Sequence, residues 1–103
     1  MTDTPTLLHD TARIETASAS RYLQQLCKHF AHKLPVEHDA AAGRITFSIG
    51  ECRLAADAAA LDLALSAPSA EDMVQLKDVV VRHLERFAFR EPLQVSWSTP
   101  PAG

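Results

Sequence analysis

Five His and two Cys are the residues of this 103-residue chain most able to do chemistry. Three of them crowd into Cys27-Lys28-His29-Phe30-Ala31-His32. Imidazole and thiolate are ligands for borderline and soft metals, and each can also serve as a base or a nucleophile. Cys52 and His83 are the other members worth placing. Basic side chains flank both strings, with Lys28 and Lys33 beside the first and Arg86 and Arg90 beyond His83.

What this chemistry amounts to depends on the elements that carry it. Tyr22, Leu23, Leu26, Cys27, Phe30 and Leu34 recur at helical spacing and predict a helix of about 15 residues ending near Lys33, before Pro35. Cys27 then lies on the apolar stripe. His29 falls about 100° from the stripe's centre and His32 about 160° away. These three cannot converge on one metal from a single helix. A pair at i, i+3 can chelate, but two ligands fall short of a closed protein site, and the helical zinc signature with an intervening Glu is absent. Met73, Leu76, Val80, Leu84 and Phe87 predict a second helix, opened by Ser69 with Asp72 three residues on, a capping-box variant. His83 sits about 60° from the centre of that stripe, hence at a core edge. If the two helices lie side by side, His29 and His83 both flank the cleft between them. A hydrogen-bonded structural His is the alternative at His83.

Between and around the helices the pattern has period two. Ala12–Glu15 reads as a short first strand. Val36–Asp39 follows the first helix, then Ile45/Phe47/Ile49, Cys52/Leu54/Ala56 and Leu61/Leu63/Leu65 alternate with polar or small residues. Leu93, Val95 and Trp97 alternate as a last strand. The order β-α-β-β-β-β-α-β predicts an α+β fold, a mostly antiparallel sheet with both helices on one face. Residues 11–98 form the single domain, 1–10 a flexible arm holding His9, and 99–103 a disordered end. The outer sheet face would carry Thr46, Ser48, Arg53, Ala55, Ala64, Ser66 and Ser96. That is either a solvated face or one small enough for a homodimer to form across it.

Cys52 points inward beside Leu54, so both thiols are core candidates. A mixed metal site from Cys27, His29, Cys52 and His83 is compatible in ligand type. The basic residues near helix ends are explained by the helix dipole, or else they mark an anion-facing patch made of Lys28, Lys33, Arg86 and Arg90. With 10 basic and 13 acidic residues the net charge is −3, so neither nucleic acid nor an anionic membrane is an expected partner. No basic start with an apolar run opens the chain, and no apolar run approaches a membrane span. Two Cys do not make a secreted disulfide framework, so a cytoplasmic protein with reduced thiols is expected. Phosphate-loop, dinucleotide and nucleophile-elbow motifs are absent.

Two strings, residues 21–37 and 83–91, together with Gly43 and Gly50-Glu51-Cys52-Arg53-Leu54, resemble the small bacterial family called domain of unknown function 2218 over about Ala12 to Trp97. The resemblance implies a link to iron or siderophore handling, since members occur beside or fused to siderophore-interacting flavin reductases. It assigns no mechanism and no cofactor. The expectation is a non-catalytic binding or accessory module. It would use His29, His83, Lys28, Lys33, Arg86 and Arg90 for a small anionic ligand or a reductase partner. A metal-binding or enzymatic protein built on His29 and His83, and a structural dimerisation module, are the competing readings.

Overall fold

A computed structural model describes residues 7–98. The elements run β1 (Leu8–Glu15), α1 (Ala19–Phe30), β2 (Val36–His38), β3 (Ala42–Phe47), β4 (Gly50–Ala56), β5 (Ala60–Ala67) and α2 (Ala70–Phe87). The five strands form one sheet in the order β1-β5-β4-β3-β2, and every neighbouring pair is antiparallel. Both helices pack on the same face, as the α+β reading requires.

The core lies between that face and the helices. Ile14, Ile45, Leu61, Leu63 and Leu65 rise from the strands to meet Leu23 and Leu26 of α1 and Leu76, Val80 and Leu84 of α2, all essentially fully buried. Two β-turns are set by aspartates. Asp39 Oδ1 accepts from Ala41 and Ala42 N–H, and Asp57 Oδ1 accepts from Ala59 and Ala60 N–H, each at 2.8–2.9 Å. These bonds hold both carboxyls below the usual Asp range and satisfy turn amides that the ladder leaves over.

Three boundaries differ from the sequence reading. First, β1 begins at Leu8, within the stretch expected as an arm, because Asp10 is a buried member of the strand and not part of a solvated tail. Residues 1–6 of the expected arm, and the expected disordered end at 99–103, lie outside the described residues. Second, α1 stops at Phe30 and a separate turn follows it, with Lys33 and Leu34 N–H both donating to Phe30 O. Ser18 makes no side-chain cap; Thr16 Oγ1 instead accepts from Ser18 N–H at 3.1 Å. At α2 the expected cap is present, Ser69 Oγ accepting from Asp72 N–H at 3.1 Å. Third, the last strand is reduced to one antiparallel bridge, Ala12 with Trp97. The segment still runs beside β1, but side chains hold it at its ends. Thr16 Oγ1 and Tyr22 Oη donate to Glu91 Oε1 at 2.9 and 2.7 Å, and Thr11 meets Ser98 Oγ at 2.9 Å. Pro92 offers no N–H to a ladder.

The outer sheet face is more charged than expected. Thr46, Ala55 and Ala64 are exposed there, while Ser48, expected on this face, falls in the turn between β3 and β4; Arg13 pairs with Asp62 and Asp57 at 2.9 and 3.2 Å, and Arg44 pairs with Glu37 at 2.8 Å. Such exposed pairs add little stability. No helix among the described residues is long and apolar enough to cross a membrane.

Candidate functional site

The C-terminal half of α1 and the middle of α2 close on each other at one end of the sheet. There His29 and His83 face across the seam, with ring centroids 4.9 Å apart and planes tilted by 43°. Each helix projects its His from the edge of its apolar stripe, so the edges meet when the stripes are buried side by side. Aromatic rings complete the contact. Phe30 lies 5.0 Å from His29 and 4.8 Å from His83, Phe47 at the end of β3 lies 5.0 Å from Phe30, and Phe87 lies 5.9 Å from His29.

These residues wall a groove of about 410 Å³, within the usual range for small-molecule sites. Phe30, Leu34, Phe47 and Val79 make its apolar surface, and His29, His32, Lys33 and His83 its polar rim. The local potential is positive. Desolvation lowers the His29 pKa, and the neighbouring His83, Arg86, His32 and Lys33 lower it further. Both effects favour the neutral form of the His29 imidazole. His83 Nδ1 lies 2.7 Å from the carbonyl of Val79. A carbonyl can only accept, so Nδ1 carries the proton and Nε2 keeps its lone pair in the neutral ring.

The structure divides the expected site residues. His29, His83 and Lys33 come together, and Arg86 is near enough to act on His29. Lys28 is exposed on α1 and does not line the groove. Arg90 lies past the end of α2, with its guanidinium 5.3 Å from the centre of the exposed Phe89 ring, and lines a separate depression with Glu85 and Glu91. Cys27 and Cys52 are both free, fully buried and set in the core. Burial pushes the Cys27 thiol up to about 11 and raises that of Cys52 as well. Among the described residues no group of three or more His, Cys, Asp or Glu side chains is placed to hold a metal ion. The mixed set of Cys27, His29, Cys52 and His83 therefore does not assemble, because both thiols lie in the core between α1 and the sheet while the imidazoles line the groove at the helix seam. Both thiols should be inert in the folded protein. An aromatic disulfide reagent at pH 8 should label them at least about 100-fold more slowly than in urea, and rapid native labelling would contradict their placement.

Phe47 and Val79 escaped the sequence reading. Phe47 figures in the sequence pattern only as an alternating strand residue and Val79 not at all, and only the end-on meeting of β3, α1 and α2 turns them into a groove wall. A second unforeseen cluster gathers around the buried Asp10 at the β1 edge. Asp10 pairs with Lys77 at 2.6 Å and accepts from Ser98 Oγ at 2.9 Å, and Lys77 Nζ lies 5.0 Å from the centre of the Trp97 ring.

Sheet, helices and groove together define a small two-layer α+β protein with an aromatic, cationic groove at its helix seam. The chain belongs to the family described as an uncharacterized protein conserved in bacteria (DUF2218), which matches residues 11–98. It is similar to PA4090 from Pseudomonas aeruginosa, known from an NMR structure, at 35% sequence identity and a TM-score of 0.74, over 91% of this chain and 96% of that one. No curated protein matches it.

Proposed function

We propose that the protein is a non-catalytic binding module that takes a small anionic, aromatic ligand in the groove between α1 and α2. The observation that carries this reading is the meeting of His29 and His83 at 4.9 Å on the wall of an apolar groove rimmed by Lys33. A flat apolar ring finds Phe30, Phe47 and Leu34 to pack on, and an anionic group finds Lys33 and the positive field of Arg86. The groove volume suits one ring with its acidic substituents. Catecholates and aryl carboxylates have this form, which agrees with the iron and siderophore link implied by the family resemblance and with a siderophore-interacting reductase as partner. Two buried free thiols suit a cytoplasmic setting.

The test is a titration with dihydroxybenzoate, alone and as its ferric complex, followed through imidazole and amide resonances. The signals of His29, His83, Lys33 and Phe47 should move together and saturate. Lys33→Ala should weaken binding about tenfold, the value of one charge-assisted contact. Binding that leaves these signals unmoved, or no binding at millimolar ligand, would overturn the proposal.

A further inference from the structure

We propose that His83 makes the groove selective for aromatic acids that carry a ring hydroxyl, because its Nε2 is a fixed hydrogen-bond acceptor. This deepens the ligand reading and rests on it. It commits that reading to hydroxyaryl acids over aryl acids that have no hydrogen to donate.

His83 donates Nδ1–H to Val79 O at 2.7 Å. A carbonyl only accepts, so the neutral ring holds its proton on Nδ1 and leaves a bare lone pair on Nε2. Val79 sits one turn back on α2, so the helix itself supplies the carbonyl and no mobile side chain sets the tautomer. The ring is also packed on two sides. Phe30 lies 4.8 Å from it and His29 4.9 Å, with planes tilted by 56° and 43°. Turning the ring over would break the bond to Val79. His83 lines the groove, and with Nδ1 committed to the backbone, Nε2 is the polar atom it has left for a ligand.

The rest of the lining divides the work. Lys33 can only donate, and it draws the acid group. Phe30, Leu34, Phe47 and Val79 offer no polar side-chain atom. His29 and His32 can each donate or accept. Among the described lining residues His83 is thus the side chain whose role is settled as acceptor. An acid or ether oxygen facing Nε2 would set lone pair against lone pair. A phenolic O–H satisfies it and keeps the ligand flat enough to pack on Phe30 and Phe47. Because His83 is only half-buried, water replaces a missing hydroxyl. The preference is then that of one net hydrogen bond, about three- to tenfold, and not the roughly 10⁴-fold of a sealed polar site.

Hydroxybenzoates and fluorobenzoates of the same substitution pattern test this, by calorimetry and by nitrogen NMR of isotope-labelled full-length protein. The pH is held at about 8, above the ordinary imidazole range. Fluorine is close to hydroxyl in size and donates nothing. The free protein should show His83 protonated at Nδ1 alone. At least one hydroxybenzoate isomer should bind about three- to tenfold tighter than its fluoro counterpart, and only the hydroxy acid should move the Nε2 signal of His83. His83→Phe keeps a flat ring beside Phe30 and removes the acceptor, so it should bring the two acids to equal affinity. A packing role alone would weaken both acids alike and keep their ratio. The tautomer and the ratio in the unaltered protein are readouts that need no variant. Nε2 protonated in the free protein, equal affinities for every pair, or a ratio that survives in folded His83→Phe would overturn the inference. Saturable binding that still moves Lys33 and Phe47 would in each of those cases leave the ligand reading standing. No binding of either acid at millimolar concentration overturns the ligand reading, and this inference with it.

Discussion

Lys77→Met should destabilise the protein by about 3 kcal/mol, the low end of the range for breaking a buried ion pair. The Asp10 side chain is only 2% exposed and its carboxylate meets Lys77 Nζ at 2.6 Å. Removing the ammonium leaves that carboxylate in a medium too poor in dielectric to solvate it. The loss stays at the low end for two reasons. Asp10 keeps the Thr11 amide at 2.8 Å and the Ser98 hydroxyl at 2.9 Å as donors, and Lys77 is itself a quarter exposed. The contact between Lys77 and the Trp97 ring is lost as well. Urea unfolding at pH 7 provides the measurement, and the melting temperature should fall by roughly 14 °C for a chain of this size. Asp10→Asn combined with Lys77→Met should recover much of the loss, since a neutral amide among the same donors carries no buried charge. A single variant within about 0.5 kcal/mol of the unaltered protein would show that water reaches the pair.

Gly50→Ala should lower stability by about 3 kcal/mol or more, through steric conflict in a place that cannot relax. Gly50 closes the two-residue turn between β3 and β4 with φ at +157°, which L side chains rarely adopt. A Cβ there would stand 2.3 Å from the Ser66 carbonyl and 3.0 Å from Leu76 Cδ2. The carbonyl belongs to the backbone of β5, next to the register pair Glu51–Ser66. It can retreat only by opening the β4–β5 ladder, and Leu76 behind it is fully buried. Denaturant unfolding monitored by circular dichroism will measure the effect. A change below about 1 kcal/mol would mean that the strands separate there more easily than their pairing implies.

Much of the fold was legible. The stripes of α1 and α2 are strict 3.6-residue patterns, and Leu23, Leu26, Leu76, Val80 and Leu84 are buried where those patterns put them. The alternation of Ile45, Cys52, Leu54, Leu61, Leu63 and Leu65 assigned each strand its inner face, because a pleated strand turns successive side chains to opposite sides. Asp10 misled the reading for a physical reason. A carboxylate counts as a surface residue until its partner is known, and the partner lies a whole fold away in sequence, on α2. The last strand misled it differently. Leu93, Val95 and Trp97 do alternate and do pack on the core, but periodicity reports burial, not backbone pairing, and side-chain anchors can hold such a segment without a ladder.

The basic residues show the same division. Lys33 and Arg90 were grouped because both lie in the family-like strings. In space they part, since α2 ends at Phe87 and the chain turns before Arg90.

By itself the sequence determined the α+β class, the inner face of every main element, the burial of both thiols and the edge positions of His29 and His83. These follow from local periodicity and from the free energy of removing apolar surface from water, which act residue by residue along the chain. Tertiary structure alone decided that the two His edges face each other at 4.9 Å, that Phe47 joins them from β3, and that Asp10 finds Lys77. Those contacts depend on how two helices register on one sheet. That register is set by the summed packing of the whole core, so no single stretch of sequence encodes it.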